Sequence, residues 1–180
     1  FFNFLEKDYK IAIIGLGYVG LPLAIAFSKF YNVVGFDINK ERIRGLNNNI
    51  DSNFDVDIQD TDKLKFTSII NDVKDSNIYI VTVPTPVTKD NIPDLGLLKS
   101  ATNIISDYVS KGDIVIYEST VYPGVTEDVC MPIIEERSGL VFNIDFFCAY
   151  SPERISPGNK KYSLSNIIKI TSGSTATIAS

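Results

Sequence analysis

The sequence predicts an α/β fold with a doubly wound, mainly parallel sheet. Short β-branched apolar runs alternate along the chain with segments of helical periodicity, and residues typical of tight turns separate them. The run 9–14 ends at Gly15-x-Gly17-x-x-Gly20, and a helical pattern follows directly. A chain of 180 residues corresponds to one domain, or to one domain and the start of another.

Composition and charge narrow the class of protein. Hydrophobic residues make up 44% of the chain and charged residues 22%, which is typical of a folded globular protein. The net charge of −5, without a basic cluster, argues against nucleic acid or an anionic membrane surface as a partner. No segment is apolar enough to span a bilayer, and residues 1–6 lack the features of a signal peptide. We therefore expect a cytoplasmic protein without a membrane partner.

Cysteine and histidine usage excludes several chemistries. The chain has no histidine, so Ser-His and Cys-His catalysis within it is excluded. Its two cysteines, Cys130 and Cys148, lack the Cys-x-x-Cys spacing of a zinc site or a redox pair. The Asn- and Asp-rich segment 47–62 lacks the spacing of a calcium loop, so we expect a solvated loop there and no metal site.

The glycine-rich turn has the spacing of a dinucleotide-binding fingerprint. Gly15 permits a tight turn out of the first strand, and Gly17 lets the backbone approach a pyrophosphate. Gly20 lets the following helix pack closely on the strand. A second apolar run, 33–36, ends in Asp37, about 20 residues downstream as the fingerprint requires. These features predict a Rossmann-like, dinucleotide-binding domain.

Asp37 indicates which dinucleotide binds. Its carboxylate is expected to accept hydrogen bonds from both ribose hydroxyls of an adenosine, and it would repel a 2′-phosphate, so the cofactor should be NAD. The alternative is that Asp37 caps the next helix, 39–46. Arg42 on that helix is expected to lean over the adenine or reach the ribose, and the alternative for Arg42 is a solvated charge on the helix surface.

The remaining elements follow the same alternation of strand and helix. Helices are predicted, with Ser68 and Asp94 capping the third and fourth, at 18–30, 39–46, 68–74, 94–109 and 125–137. Strands are predicted, besides the first, at 33–36, 64–67, 78–83, 114–117, 143–150 and 166–171.

Four strand ends in succession carry residues suited to ligand binding. Because the carboxyl ends of parallel strands meet at one edge of a sheet, we expect the site at that edge. Thr85 is fixed between two prolines that stiffen the loop after strand 78–83, so its hydroxyl should hold a defined position. The four strand ends are Gly15, Asp37, Pro84 and Ser119.

Four motifs in order resemble the UDP-glucose/GDP-mannose 6-dehydrogenase family. They are Gly15-Leu16-Gly17-Tyr18-Val19-Gly20-Leu21-Pro22, Val83-Pro84-Thr85-Pro86, Glu118-Ser119-Thr120-Val121-Tyr122-Pro123-Gly124 and Tyr150-Ser151-Pro152-Glu153-Arg154. The resemblance covers nearly all of 9–174. The last two motifs are most similar to the branch that acts on UDP-N-acetylhexosamines for capsule, O-antigen or Vi-type polysaccharides.

The resemblance implies oxidation of a sugar C6 alcohol to a carboxylate with two NAD, by way of a cysteine thiohemiacetal. It also implies contacts to the cofactor. The pyrophosphate would be lined by Gly15, Gly17, Tyr18 and Val19, the adenosine ribose held by Asp37 and Arg42, and the ribose and nicotinamide end contacted by Thr85 and Thr120.

The same resemblance implies two catalytic roles. Thr120 would help to position a catalytic water, and Glu153 would do acid–base work on the covalent intermediate. From the residues alone, Glu153 between Pro152 and Arg154 is equally compatible with a structural ion pair.

Two departures from the family pattern concern the substrate. UDP-glucose enzymes carry a second glutamate where this chain has Pro157, and an asparagine where it has Ser151. Both changes fit the N-acetylhexosamine branch.

A larger departure is the missing nucleophile. The family's Gly-x-Gly-Gly-x-Cys segment, and the lysine and asparagine of its middle helix, have no counterpart, and neither Cys130 nor Cys148 matches. We therefore expect 1–180 to be the N-terminal NAD-binding domain of a longer enzyme, inactive alone. The complete enzyme is expected to act on a UDP-sugar and to form a homodimer.

Other functions remain open at this stage. They are a UDP-glucose 6-dehydrogenase, a β-hydroxyacid dehydrogenase of the 6-phosphogluconate type, and a non-catalytic NAD-sensing module. The β-hydroxyacid dehydrogenases share the cofactor-binding fold, but their substrate motifs differ from this chain at 120–124 and 151–154.

Overall fold

The computed structural model describes residues 8–51, 58, 62–154 and 168–179. The strands in this part of the chain are β1 (Lys10–Ile14), β2 (Asn32–Phe36), β3 (Leu64–Thr67), β4 (Ile78–Val81), β5 (Ile114–Tyr117), β6 (Phe147–Tyr150) and β7 (Ser172–Gly173). They form one sheet in the order β3-β2-β1-β4-β5-β6-β7. The first six run parallel, and β7 pairs antiparallel with β6.

Helices connect the parallel strands. The α-helices of the described residues are α1 (Gly20–Ser28), α2 (Lys40–Asn47), α3 (Gly96–Ser106), α4 (Met131–Ser138) and α5 (Ala176–Ala179). A 3₁₀ turn at Ile70–Val73 precedes β4, and a π-helix at Val125–Cys130 leads into α4.

Apolar side chains cover both faces of the sheet. Ile11 and Ile13 of β1 belong to a cluster with buried residues of α1 and α2, whereas Ala12 and Ile14 belong to a second cluster with α3 and α4. Because successive side chains of a strand point to opposite faces, helices must pack on both sides. The predicted doubly wound, mainly parallel α/β fold is confirmed.

The sheet order reverses at β1, which pairs with β2 on one side and with β4 on the other. In open parallel sheets a crevice forms beyond the carboxyl ends of the strands at such a switch point. The fold therefore provides a ligand crevice directly behind the glycine-rich turn.

Some predicted helices differ in extent. The first is α1, which begins at Gly20 instead of residue 18. The predicted helix 68–74 is a single 3₁₀ turn, and Ser68 does not cap it. Instead the Thr67 hydroxyl accepts a hydrogen bond from the Ile69 N–H at 3.0 Å. Asp94 accepts a hydrogen bond from the Gly96 N–H at 2.8 Å, just ahead of the observed start of α3.

Two predicted strands differ more strongly. The strand predicted at 143–150 begins only at Phe147, because Asn143 has a left-handed backbone (φ 62°) that interrupts an extended chain. The strand predicted at 166–171 is wrong over 168–171, since β7 starts at Ser172. Its isoleucines, Ile168 and Ile170, are exposed, so their apolar character did not mark a buried strand.

Some predictions fall outside the described residues. These are most of the loop predicted at 47–62, the position of Pro157, and residues 166 and 167.

Candidate cofactor site

A cavity of about 550 Å³ opens at the carboxyl-terminal edge of the sheet. The ends of β1, β2, β4 and β5 and one side of α3 border it. Gly20 and Arg42 do not line it. The predicted site residues that do are Gly15, Gly17, Tyr18, Val19, Asp37, Thr85, Thr120 and Glu153.

Each glycine of the turn is needed for a different structural reason. Gly15 has φ +96°, a conformation that other residues rarely adopt, and its N–H donates to the Phe36 carbonyl at 2.8 Å. A Cβ at Gly20 would lie 1.9 Å from the Gly15 oxygen and 2.5 Å from Thr82 Oγ1. A Cβ at Gly17 would meet no atom within 4 Å, so the space beside this cavity-lining residue is open to a ligand.

Asp37 is attached to this turn. Its Oδ2 accepts a hydrogen bond from the Leu16 N–H at 2.8 Å, and its Oδ1 accepts one from the Asn39 N–H at 2.9 Å. The cap of α2 is Asn39, whose Oδ1 accepts from the N–H groups of Glu41 and Arg42. The alternative that Asp37 caps α2 is therefore wrong, and Asp37 is hydrogen-bonded to the turn and lines the cavity.

Arg42 occupies a different place from the one expected. The residue is only 8% exposed, so the alternative of a solvated helix charge is wrong. Its Nε donates to the Leu16 carbonyl at 3.0 Å, and its Nη1 donates to Asp51 at 2.5 Å. The predicted contact between Arg42 and the ribose is not supported, because the guanidinium group donates hydrogen bonds to the Leu16 carbonyl and to Asp51.

Hydroxyl groups join the loops after β4 and β5. Thr85 Oγ1 donates to the Thr120 carbonyl at 2.6 Å, and Ser119 Oγ donates to the Val83 carbonyl at 2.6 Å. The structure therefore brings Thr85 and Thr120 together, as their shared edge predicted. Since Thr85 donates its proton to Thr120, its hydroxyl oxygen can act only as an acceptor towards a ligand.

Two carboxylates lie at the β5 end of the cavity. The Glu153 N–H donates to the Glu118 carbonyl at 3.2 Å, and both residues line the cavity. Glu118 is 6% exposed and forms an ion pair with Lys169. Burial raises the pKa of Glu118, the hydrogen bond and charge of Lys169 oppose that rise, and the charge of Glu153 adds to it.

Sequence reasoning missed several of these residues. Glu118 appeared in a motif but received no role, although a carboxylate at the end of a buried strand was a usable signal. Its pairing with Lys169, 51 positions away, has no local signal. Four residues of α3 line the cavity, although the predicted helix received no role in the site. They are Leu97, Ser100, Ala101 and Ile104.

Both cysteines lie in the hydrophobic core, away from the cavity. Cys130 is fully buried and Cys148 is 4% exposed. Burial raises the pKa of each thiol, which opposes formation of a nucleophilic thiolate. Among the described residues, no group of three or more His, Cys, Asp or Glu is arranged to hold a metal ion. No helix in the same part of the chain has the length and apolar character to cross a membrane.

The model of the UDP-glucose/GDP-mannose dehydrogenase family, NAD binding domain, matches residues 9–179. The chain belongs to this family. Its cofactor is NAD, and the residues that line the cavity fit a dinucleotide. The turn supplies close packing at Gly20 and open space at Gly17, and Asp37 stands at the end of β2.

Curated relatives in the family have named activities. The chain is 55% identical over 175 residues to a UDP-N-acetyl-D-glucosamine 6-dehydrogenase from Salmonella typhi, covering 96% of this chain and 41% of that protein. It is 46% identical over 169 residues to Protein CapL from Staphylococcus aureus, covering 92% and 40%. The chain thus spans about two fifths of the length of these relatives.

Solved structures share the fold. A UDP-D-ManNAc dehydrogenase from Pyrococcus horikoshii has a TM-score of 0.86 and 35% identity, covering 94% of this chain and 42% of that one.

Proposed function

We propose that the chain is the NAD-binding domain of a longer nucleotide-sugar 6-dehydrogenase that oxidises a UDP-N-acetylhexosamine. The complete enzyme would convert the C6 alcohol to a uronic acid for surface polysaccharide synthesis, in the cytoplasm and as a homodimer. The observation that carries the proposal is the position of Glu153 and Thr120 in the wall of the NAD cavity. A cofactor module without chemistry has no need for them there.

The substrate class rests on similarity and on one motif. The relatives named for UDP-N-acetylhexosamines include one 55% identical to this chain. Ser151 precedes Pro152 and Glu153 in place of the asparagine that marks UDP-glucose enzymes. Both point to an N-acetylated sugar.

The chemistry assigns distinct tasks to the described residues. When bound, NAD would supply the hydride acceptor for each of the two oxidation stages, and water would supply the second carboxylate oxygen. Gly17 and its neighbours in the turn hold the pyrophosphate, and Asp37 orients the adenosine ribose. Thr120 holds the attacking water, and Glu153 exchanges a proton with it. The nucleophilic cysteine would lie in another part of the complete protein, because Cys130 and Cys148 are buried.

Two measurements test the proposal. Calorimetry on this chain should detect NAD binding, with NADP binding much more weakly. The full-length protein, mixed with NAD and a panel of nucleotide sugars, should form two NADH per sugar with a UDP-N-acetylhexosamine and little with UDP-glucose or GDP-mannose. The 180-residue chain should give no sustained NADH absorbance.

Specific results would contradict it. Preference for UDP-glucose would overturn the substrate class, and steady turnover by this chain alone would overturn its assignment as one domain of the catalyst. NAD binding by a full-length protein that oxidises none of the sugars would favour a sensing module.

A further inference from the structure

Two carboxylate residues and one lysine lie near the carboxyl ends of β5 and β6. Glu118 and Glu153 both line the cavity, and Lys169 Nζ donates a hydrogen bond to Glu118 Oε2. The Lys169 side chain is 19% exposed and that of Glu118 is 7% exposed, so water screens the pair poorly. The three groups come from segments that are distant in sequence.

Main-chain contacts keep these segments in a fixed relation. The Glu153 N–H donates to the Glu118 carbonyl at 3.2 Å, which ties the loop after β6 to the end of β5. Arg154 Nη1 donates to the Ile168 carbonyl at 3.4 Å, which ties the same loop to the segment that carries Lys169. The relative positions of Glu118, Glu153 and Lys169 are therefore set by the fold.

We propose that Glu118 and Lys169 are positioning residues for Glu153, and that their ion pair fixes the local charge against which Glu153 exchanges its proton. This inference rests on the proposed function, in which Glu153 is the acid–base group. Together Glu118 and Lys169 carry no net charge, so the group that shares the cavity wall with Glu153 is a neutral pair.

Each single substitution then changes the net charge near Glu153 in a defined direction. Lys169→Met removes the positive charge and leaves the two carboxylate residues that line the same cavity, and like charges resist joint ionisation. Glu118→Gln leaves an ammonium group beside Glu153, which favours the ionised form. The main-chain N–H of Arg154, which donates to Glu153 Oε1 at 2.6 Å, is unchanged in both variants.

The test is the pH profile of kcat for UDP-N-acetylhexosamine oxidation by the full-length protein. Lys169→Met should move the acid limb of the profile to higher pH by about one unit, because the neighbouring carboxylates hold a shared proton more tightly. Glu118→Gln should move the acid limb to lower pH. Opposite shifts are the signature of a charge effect, since a purely structural defect lowers kcat without moving the limb.

Matched variants complete the design. Lys169→Arg keeps the positive charge, so the acid limb of its kcat profile should lie at the wild-type pH. Lys111→Met removes another lysine ion pair, with Asp145 at 2.9 Å, at the opposite edge of the sheet, and should also leave the profile unchanged. If Lys169→Met does not fold, the double variant Glu118→Gln/Lys169→Met carries the test, because it buries no unpaired charge. Its acid limb should lie at the wild-type pH while that of Glu118→Gln lies lower, and equal limbs in these two variants would contradict the role of the ion pair.

The outcomes separate this inference from the proposed function. Full activity in Glu153→Gln would contradict the role of Glu153 and with it the proposed chemistry. An inactive Glu153→Gln, together with shifts in the same direction or no shift in Lys169→Met and Glu118→Gln, would overturn only the role of the ion pair. Calorimetric NAD affinity equal to wild type would show that each variant has kept its fold.

Discussion

The Nε of Arg42 donates a hydrogen bond to the carbonyl oxygen of Leu16 at 3.0 Å. The N–H of the same Leu16 donates to Asp37 at 2.8 Å, so both main-chain polar groups of this turn residue are held by side chains. Arg42 is further anchored by its ion pair with Asp51, in which both side chains are almost fully buried. These side-chain hydrogen bonds therefore fix the glycine turn through protein atoms alone.

Arg42→Lys should therefore weaken both folding and NAD binding. Lysine keeps the positive charge but loses the second donor, so the Leu16 carbonyl loses its partner, at a cost of about 1–2 kcal/mol in the free energy of unfolding. NAD affinity should fall several-fold because the turn is less well fixed. Urea denaturation and calorimetry measure the two effects.

The matched control is Arg44→Lys on the same helix, where the Arg44 ion pair with Glu41 is exposed. This change should alter the free energy of unfolding by less than about 0.5 kcal/mol. Unchanged NAD affinity in Arg42→Lys, with reduced stability, would limit Arg42 to a folding role.

Gly17→Ala and Gly20→Ala should distinguish a glycine required for NAD binding from a glycine required for packing. At Gly20 the new methyl group would overlap the Gly15 carbonyl oxygen, so the free energy of unfolding should drop by about 1–3 kcal/mol. At Gly17 the methyl group meets no protein atom, so stability should change by less than about 0.5 kcal/mol. NAD affinity should still fall about tenfold, or 1.4 kcal/mol, in Gly17→Ala. Wild-type NAD affinity in that variant would argue against a pyrophosphate beside Gly17.

Asp37→Asn should reduce NAD affinity and relax discrimination against NADP. Asparagine can still accept the hydrogen bond from Leu16, but it lacks the charge that repels a 2′-phosphate. We expect about a tenfold loss for NAD, measured by calorimetry with both cofactors. Asp107→Asn, at an exposed surface ion pair, is the control and should change neither affinity. Equal affinities of Asp37→Asn and wild type for both cofactors would exclude the ribose role.

The raised pKa of Glu118 predicts a pH-dependent stability. A carboxyl group whose pKa is higher in the folded state binds its proton more tightly there, so unfolding becomes easier as pH rises from the ordinary carboxyl range to the raised value. The free energy of unfolding of wild type minus that of Glu118→Gln should therefore decrease with rising pH across this window.

Asp145 provides the opposite case. The hydrogen bond from Lys111 lowers the pKa of Asp145, and its stabilising contribution is lost as pH falls through that lowered value. Wild type minus Asp145→Asn should therefore increase with rising pH. Slopes of the same sign for Glu118→Gln and Asp145→Asn would contradict the assigned pKa directions.

Much of the fold followed from local pattern. The β-branched runs and the helical periodicities located the parallel strands, and only their ends were misplaced. Local chemistry explains the late start of β6, since Asn143 adopts a left-handed backbone. The 3₁₀ turn at Ile70–Val73 has no side-chain cap, so the capping role predicted for Ser68 is not filled. The exposed Ile168 and Ile170 show that apolar residues alone do not define a strand.

The sequence by itself determined the fold class, the glycine turn, the carboxylate at the end of β2 and the family. Each of these is encoded within a short window, because turns, strand periods and motif spacings depend on near neighbours. Only the tertiary structure decided that Arg42 holds the Leu16 carbonyl of the turn, and that Glu118 pairs with Lys169 and lines the same cavity as Glu153. Those relations join segments far apart in the chain, and their energies arise from burial, which no local pattern specifies.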